Sequence, residues 1–181
     1  HYSNITVFSF HPVKIITTGE GGLAVTNDRD LADRMGRLRT HGITRDPALM
    51  QSDPDGPWSY QQVELGWNYR MTDIQAALGY SQAQRLDSYV SRRHVLAKQY
   101  DEALADFPLI RPFQNPDAYS AFHLYVVQVD PARTSVNRSV LYSRLRGAGI
   151  GVNVHYIPVH TQPYYRGLGF GAGDFPVSES F

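Results

Sequence analysis

A long helical stretch between two β-rich parts is the feature that most restricts the fold of this chain of 181 residues. Thr72 is a residue type that caps helix N-termini, and a helical pattern runs from there to about Ala105. Its apolar positions predict a helix that is buried over part of its length: Ile74, Ala77, Leu78, Val95, Ala97 and Leu104. The run "PLIRPFQNP" then ends the pattern.

The residues before this helix combine β-rich runs with glycine. Residues 4–10 alternate and predict a strand. "KIITT" and "LAVT" flank the cluster Gly19-Glu20-Gly21-Gly22, which predicts two short strands joined by a glycine turn. Asp28, or the asparagine before it, can cap a helix that ends near Gly42. Residues 43–60 are rich in Pro, Asp, Gly and Ser and predict a loop.

The residues after the long helix predict strand, helix and strand with short connections. Residues 122–129 form a β-rich run, and a helix capped by Ser135 is expected over residues 136–146. "GVNVHY", residues 151–156, is expected to resume as a strand. This order favours a small α/β sandwich packed on the long helix.

Charge and cysteine content narrow the classes of function. The 17 basic and 17 acidic residues give a formal net charge of zero, which favours neither nucleic acid nor a membrane surface. No apolar run approaches eighteen residues and no signal peptide is recognisable, so no membrane partner is predicted. The chain has no cysteine, which excludes disulfides, thiolate catalysis and cysteine-ligated metals and fits a cytoplasmic protein.

Lys14 is the first candidate for chemistry, because only two of the 17 basic residues are lysines. A lysine amine can condense with an aldehyde, whereas the guanidinium of arginine stays protonated and delocalised. On spacing alone, a surface lysine at a strand end is the favoured interpretation. The glycines that follow would allow close approach of the backbone, but they match neither a P-loop nor a dinucleotide fingerprint.

Three motifs occur in order along the chain: "SFHPVKIITTGEGGLAVTND", "GWNYRMTDIQAALG" and "VNVHYIPVHTQPYY". Together they resemble the DegT/DnrJ/StrS family of sugar aminotransferases, which use pyridoxal 5'-phosphate on a fold type I scaffold. The resemblance extends over essentially the whole chain. Within the family it is greatest to the aminotransferases of pseudaminic acid biosynthesis, which aminate C4 of a UDP-linked 4-keto-6-deoxy sugar. Glutamate is the amino donor that the resemblance implies.

The resemblance implies an α/β fold that is the C-terminal part of a fold type I transferase. Residues 1–71 would end the large cofactor-binding domain, 72–105 would form a long linking helix, and 106–181 would belong to a truncated small domain. The chain is therefore expected to be an interior segment of a longer protein, and inactive alone, because the aspartate for the pyridine nitrogen and phosphate-binding residues lie upstream in the family. A homodimer that shares its active site across the interface is also implied.

The resemblance gives roles to four residues of the first two motifs. Lys14 would be the Schiff-base lysine, which holds the cofactor and then shuttles a proton. The hydroxyl of Ser9 would donate to the cofactor phosphate, although a plain strand serine is favoured without the family. Asn68 would reach the cofactor phosphate of the partner subunit. For Arg70, contact with substrate and a structural ion pair at the helix start are equal alternatives.

The third motif would lie at the pocket for the nucleotide sugar. Its candidate substrate-binding residues are His155, Tyr156, Ile157, Pro158 and His160. A metal site that uses these histidines, with or without His123, is not predicted, because strand spacing of five puts the pair on opposite faces and no carboxylate falls nearby. For His160, a purely structural histidine stays an open alternative.

Several competing functions remain or are excluded. Some members of the family are dehydratases with a histidine in place of the lysine, and Lys14 argues against that branch. Another nucleotide-sugar aminotransferase, acting at another carbon or on another nucleotide, stays open. So does a non-catalytic sugar-binding or dimerisation module. A metal hydrolase lacks acidic ligands at suitable spacing, and nucleic-acid binding lacks a basic stripe.

Overall fold

The computed structural model describes residues 2–181. It contains a first unit that ends at Ser91 and a second unit, Arg92–Phe181. The boundary falls inside a helix, and each unit is described by itself.

The first unit opens with two antiparallel strands. Strand β1 (Thr6–Ser9) pairs with β2 (Gly22–Val25), with Thr6 opposite the last residue of β2. "LAVT" is therefore a strand for most of its length, but "KIITT" is not, and the predicted pairing of these two runs is wrong. Thr17 explains the difference, because its hydroxyl donates to the Phe10 carbonyl and so competes with a strand ladder.

A well-capped helix and a loop follow. Helix α1 (Arg29–Leu38) begins at Asp28, whose carboxylate accepts from the backbone N–H groups of Asp30 and Leu31 at 2.9 and 3.1 Å, as predicted. Residues 43–60 are mostly loop, as predicted, and contain a short 3-10 helix, Pro47–Leu49. Two short strands close this loop, since β3 (Ile43–Thr44) pairs antiparallel with β4 (Gln61–Gln62).

Gly42 forms the turn between α1 and β3. Its φ of +70° lies in the left-handed region, and a Cβ there would overlap the carbonyl oxygen of Glu64. The carboxylate of Glu64 also pairs with Arg34 at 3.0 Å and with Arg37 at 3.4 Å on α1. The end of α1 is thereby fixed to the segment that follows β4.

The long helical stretch forms two helices rather than one. Helix α2 (Asp73–Ala83) begins with a capping box. The Thr72 hydroxyl oxygen accepts a hydrogen bond from the backbone N–H of Gln75, and the side-chain carbonyl of Gln75 accepts one from the backbone N–H of Thr72. The α ladder ends where Arg85 donates to the carbonyl of Gln82 at 3.0 Å, three residues back, and α3 (Leu86–Ala103) follows.

Burial along these helices differs in part from the prediction. Val90 and Ala97 are the buried apolar residues, with 8% and 5% of their surface exposed. Several predicted apolar positions are exposed in the described residues: Ile74, Ala77, Leu78 and Val95. The assignment of the chain to a large domain, a linking helix and a small domain stays a prediction.

The strands of the second unit are shorter than predicted and lie partly elsewhere in the chain. Strand β5 (Leu109–Ile110) pairs antiparallel with β6 (Gln128–Val129), which is only the end of the predicted strand 122–129. Arg93 explains part of this, because its guanidinium donates to the carbonyls of Phe122 at 2.8 Å and His123 at 3.3 Å. Residues 151–156 contain no strand either.

The remaining helices of the second unit are short. Helix α4 (Arg138–Gly147) is capped by Asn137, which accepts from the N–H of Val140 at 2.9 Å, so the predicted cap at Ser135 is wrong. A 3-10 helix, Val159–Thr161, then precedes α5 (Pro163–Gly167) and α6 (Pro176–Ser180). The mixture of helices and strands agrees with the predicted α/β class, but in residues 2–181 it does not build the expected sandwich.

Two contacts from α3 stabilise the second unit. The His94 ring stacks on Tyr119, with 4.4 Å between ring centroids. The hydroxyl of Tyr125 donates to Asp101 at 2.6 Å. Burial and, second, this hydrogen bond raise the pKa of Tyr125 to about 12, so the phenol stays neutral at physiological pH.

Gly42→Ala is expected to destabilise the first unit by more than about 2 kcal/mol, because a left-handed φ is costly for alanine and the new Cβ meets a backbone oxygen. The matched control is Gly36→Ala inside α1, where a Cβ meets nothing within 4 Å and helix propensity gains roughly 0.5–1 kcal/mol. Urea unfolding monitored by circular dichroism measures both. Equal effects of the two substitutions would contradict this account.

Candidate active site

Lys14 lies on the loop between β1 and β2, residues 10–21, here named the lysine loop. The ends of this loop are joined, since the N–H of Phe10 donates to the Gly21 carbonyl at 2.9 Å. The Phe10 carbonyl in turn accepts from the Thr17 hydroxyl at 2.9 Å and from the Thr18 N–H at 3.1 Å. The loop is therefore closed at its base by three hydrogen bonds and is not a free strand connection.

A turn fixes the backbone of Lys14 itself. The N–H of Lys14 donates to the carbonyl of His11 at 2.9 Å, and the side chain of Lys14 is half-buried. The Nδ1 of His11 accepts from the N–H of Val13 at 3.3 Å, which holds the same turn from inside. The residue that the sequence marks for aldehyde chemistry is thus held in a defined backbone conformation.

Ser9 is the last residue of β1 and stands opposite Gly22. Its side chain is exposed, and its oxygen accepts from the N–H of His11 at 3.4 Å. Because that bond uses a lone pair, the hydroxyl proton can donate to another group, such as a phosphate oxygen. The loop that carries Lys14 begins directly after this residue.

The lysine loop contacts the segment that carries Asn68 and Arg70. The side-chain amide of Gln75 on α2 donates to the carbonyl of Glu20 at 3.0 Å. A Cβ on Gly21 would lie 2.8 Å from the methyl carbon of Met71, so the end of the Met71 side chain packs against the backbone of Gly21. The structure therefore brings the first and second sequence motifs together within one unit.

The backbone around Asn68 is held by the end of α1. Asn68 forms an antiparallel bridge with Thr40, and the N–H groups of Trp67 and Tyr69 donate to Leu38 and Arg39 carbonyls at 2.8 and 2.9 Å. The side chains of Asn68 and Arg70 are exposed. A fixed backbone with exposed amide and guanidinium groups suits the binding of an anion.

The third motif lies in the second unit and lines an open groove of about 730 Å³. One wall is residues 155–159, with Tyr156 66% and Ile157 61% exposed, and the other is residues 174–178 with Phe181. Of the candidate substrate-binding residues, His155, Tyr156, Ile157 and Pro158 all line this groove. Their role toward a substrate stays a prediction.

His160 is buried, with 8% of its surface exposed, and lies apart from the groove lining. Its Nε2 is 2.8 Å from Oε1 of Glu179 on α6, and because an ionised carboxylate only accepts, Nε2 carries the proton. The backbone N–H of Gly173 and, second, the His160 side chain lower the pKa of Glu179 below its usual value of 4.5. These contacts favour the structural alternative for His160.

Two residues with a clear role were not found from the sequence. Glu179 is hydrogen-bonded to His160, which lies 19 residues earlier in the chain, and no local sequence pattern predicts this pair. Thr18, within the lysine loop, is buried with 3% of its surface exposed, whereas the sequence predicts a strand for "KIITT". The threonine pair directly before a glycine was the one available signal, since threonine hydroxyls favour such turns.

The chemistry of these side chains fits part of pyridoxal 5'-phosphate. Lys14 offers the primary amine that an aldehyde requires, and Ser9 offers a donor for a phosphate oxygen at the same strand end. By contrast, residues 2–181 contain no group of three histidine or acidic side chains placed to hold a metal ion. Across the same residues, no helix has the length and apolar character needed to cross a membrane.

The model of the DegT/DnrJ/EryC1/StrS aminotransferase family matches residues 1–181. The chain belongs to this family. The match to this aminotransferase family and the solved relatives in pyridoxal phosphate and pyridoxamine phosphate forms confirm the predicted family and the predicted cofactor class.

Three relatives illustrate where the chain stands in the DegT/DnrJ/EryC1/StrS family. SpsC of Bacillus subtilis, a spore coat polysaccharide biosynthesis protein, is 41% identical over 179 residues, which is 97% of this chain and 46% of SpsC. Spr1654 of Streptococcus pneumoniae, in its PMP form, superimposes with a TM-score of 0.85 at 31% identity, over 98% of this chain and 46% of Spr1654. Its PLP form gives a TM-score of 0.83 at 30% identity.

PseC of Helicobacter pylori, an aminotransferase involved in the biosynthesis of pseudaminic acid, gives a TM-score of 0.81 at 30% identity over 92% of this chain and 43% of PseC. The chain therefore spans less than half the length of these relatives. The predicted fold class, part of a fold type I transferase, is confirmed by these superpositions.

Glu179→Gln is expected to lower the melting temperature of the second unit near neutral pH, because the carboxylate that binds Gly173 and His160 loses its charge. A lowered folded-state pKa means that the stabilisation is present above the unfolded pKa, near 4.5, and is lost as pH falls through the folded-state value. The difference from wild type should therefore shrink below about pH 4.5.

Thermal unfolding by circular dichroism between pH ~7 and ~3.5 measures this difference. Glu102→Gln is the matched control, since Glu102 makes only an exposed pair with Lys98 at 3.9 Å and should change little. A gap between wild type and Glu179→Gln that stays constant down to the lowest pH would contradict the assignment.

Proposed function

We propose that this chain is part of a pyridoxal-phosphate-dependent nucleotide-sugar aminotransferase that acts as a cytoplasmic homodimer. The observation that carries the proposal is the closed lysine loop, which fixes the backbone of Lys14 just after the strand that ends at Ser9. The same loop is bonded through Glu20 to Gln75, on the helix that follows Asn68 and Arg70. This arrangement occurs in a chain whose whole length matches the family. A non-catalytic module would need no lysine held by its backbone at this position.

Lys14 and Ser9 each have a proposed part in the reaction. Pyridoxal phosphate, when bound, supplies the electron sink for moving an amino group from an amino acid to a ketone. Lys14 would hold it through Nζ, and the free amine would take a proton from the α-carbon of the amino donor and deliver one to the sugar carbon that is aminated. Ser9 donates its hydroxyl proton to a phosphate oxygen. An arginine at position 14 could neither hold the cofactor aldehyde nor move the proton, because its guanidinium stays protonated.

Asn68 is proposed to act on the site of a second copy. Its backbone is fixed by Leu38, Arg39 and Thr40, while its amide is exposed and can donate to a phosphate outside its own protomer. Arg70, two residues on and also exposed, would bind an anionic part of the substrate. A homodimer then has two sites, each built from both chains.

The proposed substrate is a UDP-linked 4-keto-6-deoxy sugar, aminated at C4 with glutamate as donor. Likeness to PseC supports it, and the groove of His155–Pro158 offers aromatic and apolar walls for a sugar or base ring. The second candidate is another sugar, carbon or nucleotide, which the 41% identity to SpsC favours over the 30% to PseC. Incubation of full-length protein with UDP-, GDP- and TDP-keto sugars and glutamate, followed by mass spectrometry, distinguishes them.

Lys14→Ala is expected to abolish the visible absorption of the lysine-bound cofactor and to remove turnover, because alanine offers no amine. Lys98→Ala is the matched control, since Lys98 is the only other lysine and is exposed on α3. Borohydride treatment of cofactor-loaded, full-length protein should attach the cofactor to the peptide of Lys14. Labelling of Lys98 instead, or a coloured Lys14→Ala variant, would overturn the proposal.

Mixing Lys14→Ala with Asn68→Ala protein is expected to restore about a quarter of wild-type activity. Random exchange makes half of the dimers mixed, and each mixed dimer regains one site with both residues intact. Lys14→Ala mixed with Ser9→Ala is the control, because both residues are proposed to serve the site of their own protomer, so no complete site forms in a mixed dimer. Restoration in the control, or none in the test mixture, would show that Asn68 does not act across the interface.

A further inference from the structure

We infer that Thr18 is a positioning residue, which locks the lysine loop to helix α2 through a socket left open by two glycines. The inference rests on the proposed function for the role of Lys14, but the socket itself is a property of the chain. Thr18 lies in the first motif, four residues after Lys14, and the resemblance gives it no role.

Thr18 is buried, with 3% of its surface exposed. Its hydroxyl donates to the carbonyl of Glu20 at 2.7 Å, and its N–H donates to the carbonyl of Phe10 at 3.1 Å. Both partners belong to the lysine loop. Thr18 thus satisfies the interior of the loop with its polar atoms and leaves its methyl group for another contact.

The methyl group of Thr18 packs against helix α2 at Gly79. A Cβ added at Gly79 would lie 2.7 Å from Cγ2 of Thr18, well inside van der Waals contact. Glycine inside a helix costs roughly 0.5–1 kcal/mol relative to alanine, so a glycine at this position needs a compensating reason. On the other side, a Cβ at Gly21 would overlap the hydroxyl oxygen of Thr18.

This contact connects the two halves of the proposed site. The lysine loop is closed on β1 at its base, and it meets α2 through Thr18 and through the bond from Gln75 to Glu20. Helix α2 begins just after Asn68 and Arg70. The position of the Lys14 amine relative to that segment therefore depends on how deeply Thr18 sits beside Gly79. A displacement of about 1 Å at a reacting group can reduce turnover by roughly 100-fold.

The test is a set of three variants in the full-length protein: Gly79→Ala, Thr18→Ser and the double variant Thr18→Ser/Gly79→Ala. Gly79→Ala fills the socket, while Thr18→Ser removes the one carbon, Cγ2, that the new Cβ would meet, and keeps the hydroxyl. The double variant should therefore recover what Gly79→Ala loses. Gly36→Ala is the control, because it also replaces a helical glycine but meets no atom within 4 Å.

Hydrogen exchange of cofactor-free protein gives a readout that needs no activity. Gly79→Ala should speed exchange in peptides that cover residues 10–21 by about tenfold or more, since an overpacked contact opens more readily. In loaded enzyme, kcat should fall by up to about 100-fold, while KM for the amino donor changes less than about threefold. Thr18→Ser/Gly79→Ala should return both quantities close to those of Thr18→Ser alone.

An unchanged rate of hydrogen exchange over residues 10–21 in Gly79→Ala would overturn the proposed contact between Thr18 and Gly79, whatever reaction the protein catalyses. Faster exchange with wild-type kcat would overturn the positioning role, since a merely structural contact alters the first quantity only. If Gly79→Ala does not fold, recovery of folding in the double variant supports the contact, and failure of the double variant overturns it. Wild-type protein that binds no pyridoxal phosphate would overturn the proposed function, and with it the positioning role, while leaving the exchange result valid.

Discussion

The carbonyl oxygen of Phe10 is the acceptor on which the lysine loop depends. Two threonines converge on it, and the N–H of the same residue closes the ring to Gly21. These bonds end strand β1 after Ser9 and turn the chain into the loop that carries Lys14. They also explain why glycine is needed here: Gly19 has a φ of +81°, which lets the chain return to β2.

The parts of the fold that could be predicted are those in which the cause is local. Asp28 caps the helix that starts one residue later, and Thr72 begins a helix with a capping box to Gln75. Where a side chain remote in sequence donates hydrogen bonds to backbone carbonyls, the local sequence pattern predicts the wrong secondary structure. Arg93 on α3 occupies carbonyls of the run 122–129, which has the composition of a strand but mostly is not one.

The candidate site shows the same division. Lys14, Ser9 and Asn68 could be named as candidates because their motifs are contiguous, and in the structure Lys14 lies on the loop that follows the strand ending at Ser9. The contacts that hold them are not contiguous: Thr18 meets Gly79 across 61 residues of chain, and His160 meets Glu179 across 19. No periodicity in a single sequence encodes such pairs, because they depend on how the chain folds back on itself.

The bridge between Asn68 and Thr40 has a thermodynamic consequence. Fixing the backbone of a residue costs roughly 1–2 kcal/mol in conformational entropy, and here folding has already met that cost. A ligand that engages the exposed amide immobilises only side-chain torsions, for which the cost is about 0.5–1.5 kcal/mol. The exposed amide of Asn68 is thereby preorganised for a ligand that binds it.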